Sequence, residues 1–383
     1  MSSGLNMSRR IRRSPYTDRV EKHGVRGFSV VNHMLLPKAF AQSVEEDYWH
    51  LRQHVQLWDV ATQRQVEVKG PDAAQLVQWM TPRDLSNAET GQCLYVPLVD
   101  GQGGMINDPV LLKLADDHFW FSIADSDVLL WAKGLAMGGR YDVEICEPDV
   151  APLAVQGPKA EDLLASLFGE HVRDIGFFKF GWIEFEGTQQ LIARSGYSRQ
   201  GGFEIYLRGG GGGGDGGGNG GGNQLGGALW DAIWQAGQGL NIAPGCPNLI
   251  ERIEGGLLSY GNEFTLADNP MECGLAHYCQ LDGEFNFIGK PALQQIQNLG
   301  ISRDMRGILY GTTPTQTVSV PLPVMVGRKQ IGQITSGIWS PRLKRNVGLS
   351  MIDKEFWDAG TMVSVSLADG SHVDGEVSRL PFS

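Results

Sequence analysis

Three segments place charged side chains where the surrounding residues are apolar, and these residues are the first candidates for chemistry. Asp108 stands in "GMINDPVLLKL", Glu204 in "GGFEIYL", and Arg252 with Glu254 in "NLIERIEGGLL". Burying such a charge is costly unless a partner is present. Two of these segments also have an ordinary structural interpretation: a solvent-facing strand for Glu204, and a helix ion pair for Arg252.

Asp108 and Glu204 together suit a ligand that offers several ring N–H groups, because ionised carboxylates only accept hydrogen bonds. Glu204 shares one strand face with Tyr206, since side chains alternate with a period of two. The sequence has no G-x-S-x-G, no H-E-x-x-H, no P-loop and no dinucleotide fingerprint. His50 and His54 are four residues apart but have no third ligand nearby, so no metal site is predicted.

The segment around Asp108 has an α+β order of elements. The run Leu94–Leu114 predicts two apolar strands around a glycine-rich turn, with Asn107, Asp108 and Pro109 inside the second strand. From "RQVEVKG" to "DVEICEP" the pattern is strand, helix, strand, strand, helix, strand. This order is typical of a ferredoxin-like or split βαβ domain. Ahead of it, "SVEEDYWHLRQHVQLWDV" has a helical pattern.

A second copy of this order surrounds Glu204. It begins with a strand, a tight turn and a helix in "APLAVQGPKAEDLLASLFG", continues with three strands, and ends with the helix "LGGALWDAIWQAG". Between the last strand and that helix, Gly209–Asn223 holds twelve glycines and no apolar residue, which predicts a flexible surface loop. It does not match a phosphate-binding loop, because no Lys-Ser/Thr follows.

The last part of the chain has a different character. Past Arg306, short strands separated by turn residues run from "RGILYG" to "HVDGEVSRLPF", which predicts a small antiparallel barrel or sandwich. The helix "KPALQQIQNLG" precedes them. In "CPNLIERIEGGLLSYGNEF" the spacing of Leu and Ile predicts an amphipathic helix that carries Arg252.

Composition limits the classes of partner. The chain has 383 residues, a net charge of −11 and 42% hydrophobic residues, as expected for a globular protein of two or three domains. The negative charge argues against nucleic acid, although a small anion needs only one local basic pocket. The single basic cluster, Ser8–Arg13, is interpreted as a solvated N-terminal arm. Five cysteines without a CxxC pair, and no long apolar run, predict reduced thiols, no membrane partner and a cytoplasmic location.

Six segments resemble, in order, motifs of the folate-dependent aminomethyltransferases, the family of the glycine cleavage T-protein. "LYVPLVDGQGGMINDPVLLKL" is similar to the family's Tyr–turn–Gly-Gly–acidic segment, and "RSGYSRQGGFEIYL" to R-T-G-Y-T-G-E-D-G-F-E. "NLIERIEGGLLSYGNEF" resembles the L-R-x-E-A-G helix, and "NPMECGL", "FIGKPAL" and "GQITSGIWSPRLKRNVGL" follow. The resemblance runs from about Val25 to Phe382.

The sequence departs from the T-protein at two motifs. Residues 247–249 are PNL in place of A-R-D, and residues 199–202 are RQGG in place of G-E-D-G. "GFSVVNHMLLP", "NDPVLLKL", "GCPNLIERIE" and the terminal "LPF" look more like the dimethylsulfoniopropionate demethylases, a bacterial branch of the family. The iron–sulfur-assembly branch carries a K-G-C-Y-x-G-Q-E motif, and "RSGYSRQGGFE" has no cysteine, so that branch is excluded.

The resemblance implies an α+β fold, a three-domain ring of two ferredoxin-like domains and a C-terminal antiparallel β-barrel. The expected first domain is residues 1–58 with 151–270, including the loop 209–223, and binds the folate. The second α+β domain is expected at 59–150, and the connecting segment and barrel at 271–383. The resemblance also implies that the folate would lie in the central opening of the ring.

The resemblance also implies roles for individual residues. Tetrahydrofolate would be the methyl acceptor, and no metal would be needed. Asp108 would be the catalytic residue at the reacting edge of the pterin, and Glu204 would accept hydrogen bonds from its ring. Tyr95 and Tyr206 would lie beside it, while Arg252 would brace the site or pair with Glu254.

The implied reaction transfers a methyl group from a sulfonium with a carboxylate tail to N5 of the folate. The products would be 5-methyltetrahydrofolate and 3-(methylthio)propionate. A sulfonium cation suits aromatic faces, and its tail needs hydrogen-bond donors. Candidates for the cation are Phe28, Phe178, Tyr197 and Tyr206, and candidates for the tail are Asn32, His33, Lys38 and Ser122.

Three other functions stay open from the sequence. The methyl donor could be a betaine or another sulfonium. The chain could be an aminomethyltransferase, which needs a lipoyl-carrier partner and releases ammonia, although the missing A-R-D counts against it. It could also be a non-catalytic folate-binding protein. The expected partners are small molecules rather than nucleic acid or membrane, and a homodimer is left open.

Overall fold

The computed structural model describes Ser8 and residues 10–209 and 224–383. Its helices are α1 (Thr17–Lys22), α2 (Val44–Gln53), α3 (Ala73–Trp79), α4 (Val128–Gly139), α5 (Ala160–Phe168), α6 (Gln224–Ala236), α7 (Leu249–Glu254) and α8 (Lys290–Leu299). Of the predicted glycine loop Gly209–Asn223, all but Gly209 lies outside the described residues. Within the described ranges, no helix is long and apolar enough to cross a bilayer.

The strands, in chain order, form four sheets and a barrel. They are β1 (Gly27–Val31), β2 (Met34–Ala39), β3 (Val55–Asp59), β4 (Gln65–Lys69), β5 (Cys93–Tyr95), β6 (Leu98–Val99), β7 (Met105–Asn107), β8 (Val110–Ala115), β9 (His118–Ser122), β10 (Glu144–Cys146), β11 (Val150–Gln156), β12 (Phe180–Phe185), β13 (Thr188–Ala193), β14 (Gly202–Arg208), β15 (Ile242–Gly245), β16 (Arg303–Tyr310), β17 (Leu322–Val326), β18 (Lys329–Ser340), β19 (Arg345–Asp353), β20 (Met362–Ser366) and β21 (His372–Ser378).

The chain divides into two compact units. The first unit comprises Met1–Ala73, Glu89–Leu94 and Val110–Pro247, and the second comprises Ala74–Ala88, Tyr95–Pro109 and Asn248–Ser383. The boundaries expected for three domains, at residues 58, 150 and 270, stay a prediction.

The first α+β element order is confirmed. One sheet has the order β10-β4-β9-β8-β5, and the pairs β10–β4, β4–β9 and β9–β8 are antiparallel. If β4, β8, β9 and β10 are counted as strands one to four, their spatial order is 4-1-3-2. This is the ferredoxin-like arrangement that the sequence order predicts.

The second sheet contains two strands that the sequence pattern missed, β3 and β15. Its order is β12-β13-β14-β11-β3-β15, with β3 antiparallel to β11 and parallel to β15. The helical pattern predicted for "SVEEDYWHLRQHVQLWDV" is wrong at its end. The helix α2 stops at Gln53, and Val55–Asp59 forms β3. All five residues of β3 are buried. A continuous buried run has no period that separates a strand from a helix.

The six-stranded sheet has two different faces in the region of Glu204. Phe203, Ile205 and Leu207 of β14 belong to the large apolar core, which also contains buried residues of α5 and α6. Tyr206 faces the other way, into a second apolar cluster that includes Trp120 of the five-stranded sheet. The predicted alternation along β14 is therefore confirmed, and it puts residue 204 on the Tyr206 side.

The run Leu94–Leu114 is more broken than predicted. The expected second strand is two strands, β7 and β8, with Asp108 and Pro109 between them. Pro109 has no backbone N–H to donate, and proline restricts the backbone of the residue before it. Asp108 therefore lies at a strand break and not inside a strand, at the end of a segment that belongs to the second unit.

The second unit contains the predicted C-terminal barrel, and this prediction is confirmed. Six strands close in the order β16-β19-β18-β17-β20-β21. The helix predicted to carry Arg252 is shorter than expected, because α7 spans only Leu249–Glu254. Asn248 caps it by accepting from the backbone N–H groups of Ile250 and Glu251. Gly255 and Gly256 follow, and Gly256 has a positive φ of 65°, which favours glycine.

Candidate functional site

Asp108 has a partner within the protein. The hydroxyl of Tyr95 donates a 2.7 Å hydrogen bond to Oδ2 of Asp108, so the acid has a partner before any ligand binds. The pKa of Asp108 is raised to about 7. Burial is the main cause, and the charge of Glu263 also contributes to the increase. The hydrogen bond from Tyr95 and one from the backbone act in the opposite direction. Asp108 therefore changes its charge near neutral pH.

Two residues that the sequence analysis missed hold Tyr95 in place. The ring of Tyr278 lies 5.2 Å from that of Tyr95, centroid to centroid. Nη1 of Arg83 donates to the backbone carbonyl of Tyr95 at 2.7 Å, and its guanidinium lies 5.1 Å from the Tyr278 ring centroid. Burial lowers the pKa of Arg83. Arg83 lies outside the segment Leu94–Leu114, and Tyr278 lies far along the chain, so neither stood in a motif with Tyr95 or Asp108.

Arg252 forms a buried ion pair with Glu263. Nη1 of Arg252 lies 2.7 Å from Oε2 of Glu263, and the two side chains are 8% and 0% exposed. Glu263 also accepts from the backbone N–H of Ser259 at 2.8 Å and from the hydroxyl of Ser336. The expected partner, Glu254, accepts instead from Ser340 Oγ at 2.5 Å and from Arg342 Nε at 2.9 Å. Arg252 thus holds the acid whose charge acts on Asp108.

Glu204 lies in the first unit and is 5% exposed. The hydroxyl of Ser195 donates to its Oε2 at 2.5 Å, and the side chain of Gln63 forms a second hydrogen bond. Burial raises the pKa of Glu204, while these two hydrogen bonds act to lower it. Two donors leave part of the accepting capacity of the carboxylate unused.

Tyr206 belongs to a closed ring of hydrogen bonds that starts and ends at Glu204. Its hydroxyl is hydrogen-bonded to Ser195 and Ser122. Nε2 of Gln65 donates to Ser122 Oγ at 3.0 Å and to the carbonyl of Gln63 at 2.7 Å. Burial raises the pKa of Tyr206 well above its ordinary value, so the phenol keeps its proton. Sequence analysis proposed Ser122 and Tyr206 here, and missed Gln63, Gln65 and Ser195.

Trp120 borders the same ring and was also missed. Its ring centroid lies 6.4 Å from that of Tyr206. Its indole N–H donates to Oε1 of Glu67 at 2.8 Å, and His118 lies 2.6 Å from the same oxygen. The hydrogen bond with His118 is the main cause that lowers the pKa of Glu67 to about 2. Alternation along β9 could have indicated Trp120, because it shares a face with Ser122.

The remaining aromatic candidates divide between two places. Phe178 has a positive φ of 55° and packs against the cluster of Tyr206 and Trp120. Tyr197 is partly buried on the segment between β13 and β14. Phe28 packs against the opposite core, with Phe203 and Ile205. The structure therefore groups Phe178 with Tyr206 and places Phe28 elsewhere.

Three of the candidates for binding the carboxylate tail of the sulfonium lie on the hairpin formed by β1 and β2. Asn32 and His33 form the turn, both with positive φ. The Asn32 amide donates to the carbonyls of Thr62 and Ala124 at 2.9 and 3.1 Å, and its oxygen accepts from the Ser126 N–H. His33 and Lys38 are exposed. The Asn32 side chain is thus used to anchor the hairpin.

Two of the candidate site acids have raised pKa values: Asp108 in the second unit, held by the Tyr95 hydroxyl, and Glu204 in the first unit, held by the Ser195 hydroxyl. Both can accept further hydrogen bonds from a ligand with N–H donors. Among the described residues, no group of three or more His, Cys, Asp or Glu side chains is arranged to hold a metal ion. A buried carboxyl group whose pKa lies near neutral, as at Asp108, can accept or release a proton.

Two family models match the chain. The GCVT N-terminal domain matches residues 16–283, and the glycine cleavage T-protein C-terminal barrel domain matches residues 307–383. The chain belongs to the glycine cleavage T-protein family. The element order of the first unit and the closed barrel of the second agree with this assignment.

Individual relatives cover nearly the whole chain. It is 47% identical to dimethylsulfoniopropionate demethylase DmdA from Ruegeria pomeroyi over 365 residues, which is 95% of both chains. It is 31% identical to an aminomethyltransferase from Lysinibacillus sphaericus, covering 94% of this chain and 95% of that one. The crystal structure of the glycine cleavage system aminomethyltransferase T from Bartonella henselae superposes with a TM-score of 0.83 at 23% identity, over 97% and 98% of the two chains. That superposition supports the α+β fold with its C-terminal barrel.

Proposed function

We propose that this protein is a folate-dependent methyltransferase that demethylates dimethylsulfoniopropionate. The observation that carries the proposal is the 47% identity over 95% of both chains to the demethylase from Ruegeria pomeroyi. Identity to the aminomethyltransferases is at least 16 percentage points lower (47% against 31% or less). The reaction transfers one methyl group from the sulfonium to N5 of tetrahydrofolate.

The site residues fit a reduced pterin. Its ring presents N–H and amino donors, and Glu204 accepts hydrogen bonds in a buried setting where they are strong. Oε1 of Gln65, in the same hydrogen-bonded ring, is a buried acceptor without a partner in the described chain. Tyr95 and Tyr206 add apolar ring faces and hydroxyl groups, and Arg252 acts through Glu263. These residues would hold the folate.

The chemistry balances without a covalent enzyme intermediate. The C–S bond breaks with its electron pair left on sulfur, a C–N bond forms, and N5 loses one proton. Asp108, with a pKa of about 7, is suited to accept that proton in its ionised form. Alignment of nitrogen, methyl and sulfur contributes the larger share, up to about 7–11 kcal/mol in favourable cases.

The sulfonium cation is best accommodated beside Tyr206. Phe178 and Trp120 pack in the same apolar cluster as Tyr206, so three aromatic side chains lie close together in the first unit. Each contact between a cation and an aromatic face contributes about 0.5–2 kcal/mol. Tyr197 and Phe28 are weaker candidates for binding the cation, because neither belongs to this cluster. Phe28 packs against the opposite core.

The test is an assay of purified protein with tetrahydrofolate and dimethylsulfoniopropionate. We expect 5-methyltetrahydrofolate and 3-(methylthio)propionate in equal amounts. A panel with glycine betaine and other sulfonium compounds identifies a different donor. If dimethylsulfoniopropionate yields neither product while another donor is consumed, the donor assignment is wrong and the methyltransferase assignment stands.

A second candidate is the aminomethyltransferase of glycine cleavage, favoured by relatives at about 30% identity. Its test is ammonia release with an aminomethylated lipoyl carrier protein. Tight folate binding without turnover on any donor would instead indicate a non-catalytic folate-binding protein. A cytoplasmic location and a homodimer stay predictions, the first consistent with five free cysteines.

A further inference from the structure

Two arginines share one buried carboxylate in the first unit. Nη1 of Arg12 lies 2.8 Å from Oε1 of Glu147, and Nη2 of Arg64 contacts Oε2 of the same residue. The arginine side chains are each 19% exposed, and that of Glu147 is 6% exposed. Arg12 lies in the N-terminal segment, Arg64 directly precedes β4, and Glu147 directly follows β10.

This cluster has more donors and more positive charge than Glu147 can satisfy. Nη2 of Arg12 and Nε of Arg64 are buried and have no hydrogen-bond partner within the described chain. Burial opposes ionisation of Glu147, but hydrogen bonds and charges from Arg64 and Arg12 hold its pKa below the ordinary value. Two guanidinium groups and one carboxylate leave a net charge of +1. Unpaired buried N–H groups on a charged side chain are costly unless a ligand completes them.

The cluster is anchored to the fold through the backbone. Arg12 donates its N–H to the carbonyl of His33 at 2.7 Å and accepts from the N–H of Leu35 at 3.2 Å. The carbonyl of Arg64 accepts from Ile123 at 3.0 Å. The interpretation of Ser8–Arg13 as a solvated arm is therefore wrong at Arg12. Fixed guanidinium groups lose little entropy when they bind an anion.

We propose that Arg12 and Arg64 form a carboxylate-binding site for a ligand of this enzyme. One unpartnered nitrogen on each of the two guanidinium groups gives N–H donors for the two oxygens of a carboxylate. The inference rests on the proposed function, which supplies two sources of this group: the propionate tail of the sulfonium and the glutamate tail of the folate. The candidates from sequence for the tail, Asn32 and Lys38, are respectively used in the hairpin and exposed.

The experiment pairs one substitution with ligands that have or lack the carboxylate. Arg64→Gln is tested for binding of dimethylsulfoniopropionate against trimethylsulfonium, and of tetrahydrofolate triglutamate against 6-methyltetrahydropterin, which has no carboxylate. We expect a loss of about tenfold to a hundredfold for one carboxylate-bearing ligand, and less than about twofold for its partner without the group. Arg64→Lys should recover part of the loss. Arg13→Gln is the matched control, because Arg13 already pairs with Asp18 and Glu21 on the surface.

The pair of ligands that responds identifies the source of the carboxylate. A loss confined to the sulfonium pair assigns the substrate tail, and a loss confined to the folate pair assigns the glutamate tail. An equal loss for ligands with and without the carboxylate, or no loss for any ligand, overturns the proposal. If the wild-type protein binds these ligands through Arg64 but transfers no methyl group, the proposed function fails and the binding site stands.

Discussion

The hydroxyl of Tyr95 donates to Oδ2 of Asp108 across 2.7 Å, and this bond opposes the effect of burial on the acid. The pair stands at a strand break, with Asp108 between β7 and β8. Because burial and the charge of Glu263 raise the pKa of Asp108 to about 7, the group can hold or release a proton under ordinary conditions. The first two predictions follow from this balance.

Asp108→Asn should lower turnover strongly while the fold stays intact. An amide of the same shape cannot accept the proton that N5 loses, and general-base catalysis contributes about a hundredfold to ten-thousandfold. Initial rates of methyl transfer, with circular dichroism as the check on folding, measure the effect. Turnover equal to that of the wild type would remove Asp108 from the reaction.

Tyr95→Phe should move the acidic limb of the pH–rate profile upward. The ionised form of Asp108 is the active one, so activity rises with pH through about 7 in the wild type. The hydrogen bond from Tyr95 stabilises that ionised form, and its loss raises the pKa of Asp108 further. A profile of kcat/KM between pH 5 and 9, in both proteins, shows the shift. A limb that stays in place, or moves to lower pH, contradicts the assignment.

Glu204→Gln should weaken tetrahydrofolate binding about tenfold to a hundredfold, the cost of losing hydrogen bonds to a charged acceptor. The glutamine can still accept from Ser195, so the hydrogen-bonded ring keeps its shape. Titration calorimetry with tetrahydrofolate measures the affinity. Glu184→Gln, on the exposed side of β12, is the control and should bind as the wild type does. Equal affinities in all three proteins would place Glu204 outside the folate site.

Glu263→Gln should destabilise the protein by about 3–5 kcal/mol, because it leaves the charge of Arg252 buried without its ion-pair partner. Urea unfolding measures this loss. Glu355→Gln removes an exposed ion pair with Lys329 and should cost less than about 1 kcal/mol.

The Glu263→Gln variant should also shift the acidic limb of the pH–rate profile to lower pH, since the charge of Glu263 raises the pKa of Asp108. An unchanged limb would argue against that coupling.

Asp59→Asn should remove a pH dependence of stability. Asp59 is 2% exposed, and burial raises its pKa from 3.8 to about 6, against hydrogen bonds from Ser14 and Ala61. The folded protein then holds the proton more tightly than the unfolded chain, so this residue makes stability fall from about pH 4 to pH 6. Two pH units correspond to about 3 kcal/mol.

The comparison of Asp59→Asn with the wild type is made by urea unfolding at pH 4 and pH 7. The difference in unfolding free energy between the two proteins should change by that amount over this range. Asp116→Asn is the control, since Asp116 is 94% exposed. Parallel curves for the Asp59 variant and the wild type would show that the acid is not held as the structure indicates.

Much of the fold was readable from the sequence because it depends on local patterns. The alternation in "GGFEIYL" placed Glu204 and Tyr206 on one face, and the strand and turn signals past Arg306 predicted the barrel. Two of the secondary-structure predictions that failed have a local physical reason. β3 is a fully buried run without a period, and the predicted helix of Arg252 ends at Glu254 because two glycines follow.

The sequence by itself determined the family, the α+β order and the identity of two candidate acids, since these are properties of short segments and their order. Only the tertiary structure decided which residues form hydrogen bonds and ion pairs around those acids. Tyr278 reaches Tyr95, and Arg12 meets Arg64 at Glu147, across separations that no motif spans. Glu263 stands in the same segment as Arg252, "NLIERIEGGLLSYGNEF", but only the folded chain shows that the two form an ion pair. Hydrogen bonds and charges act over a few ångströms of space, and chain folding is what brings such residues within that range.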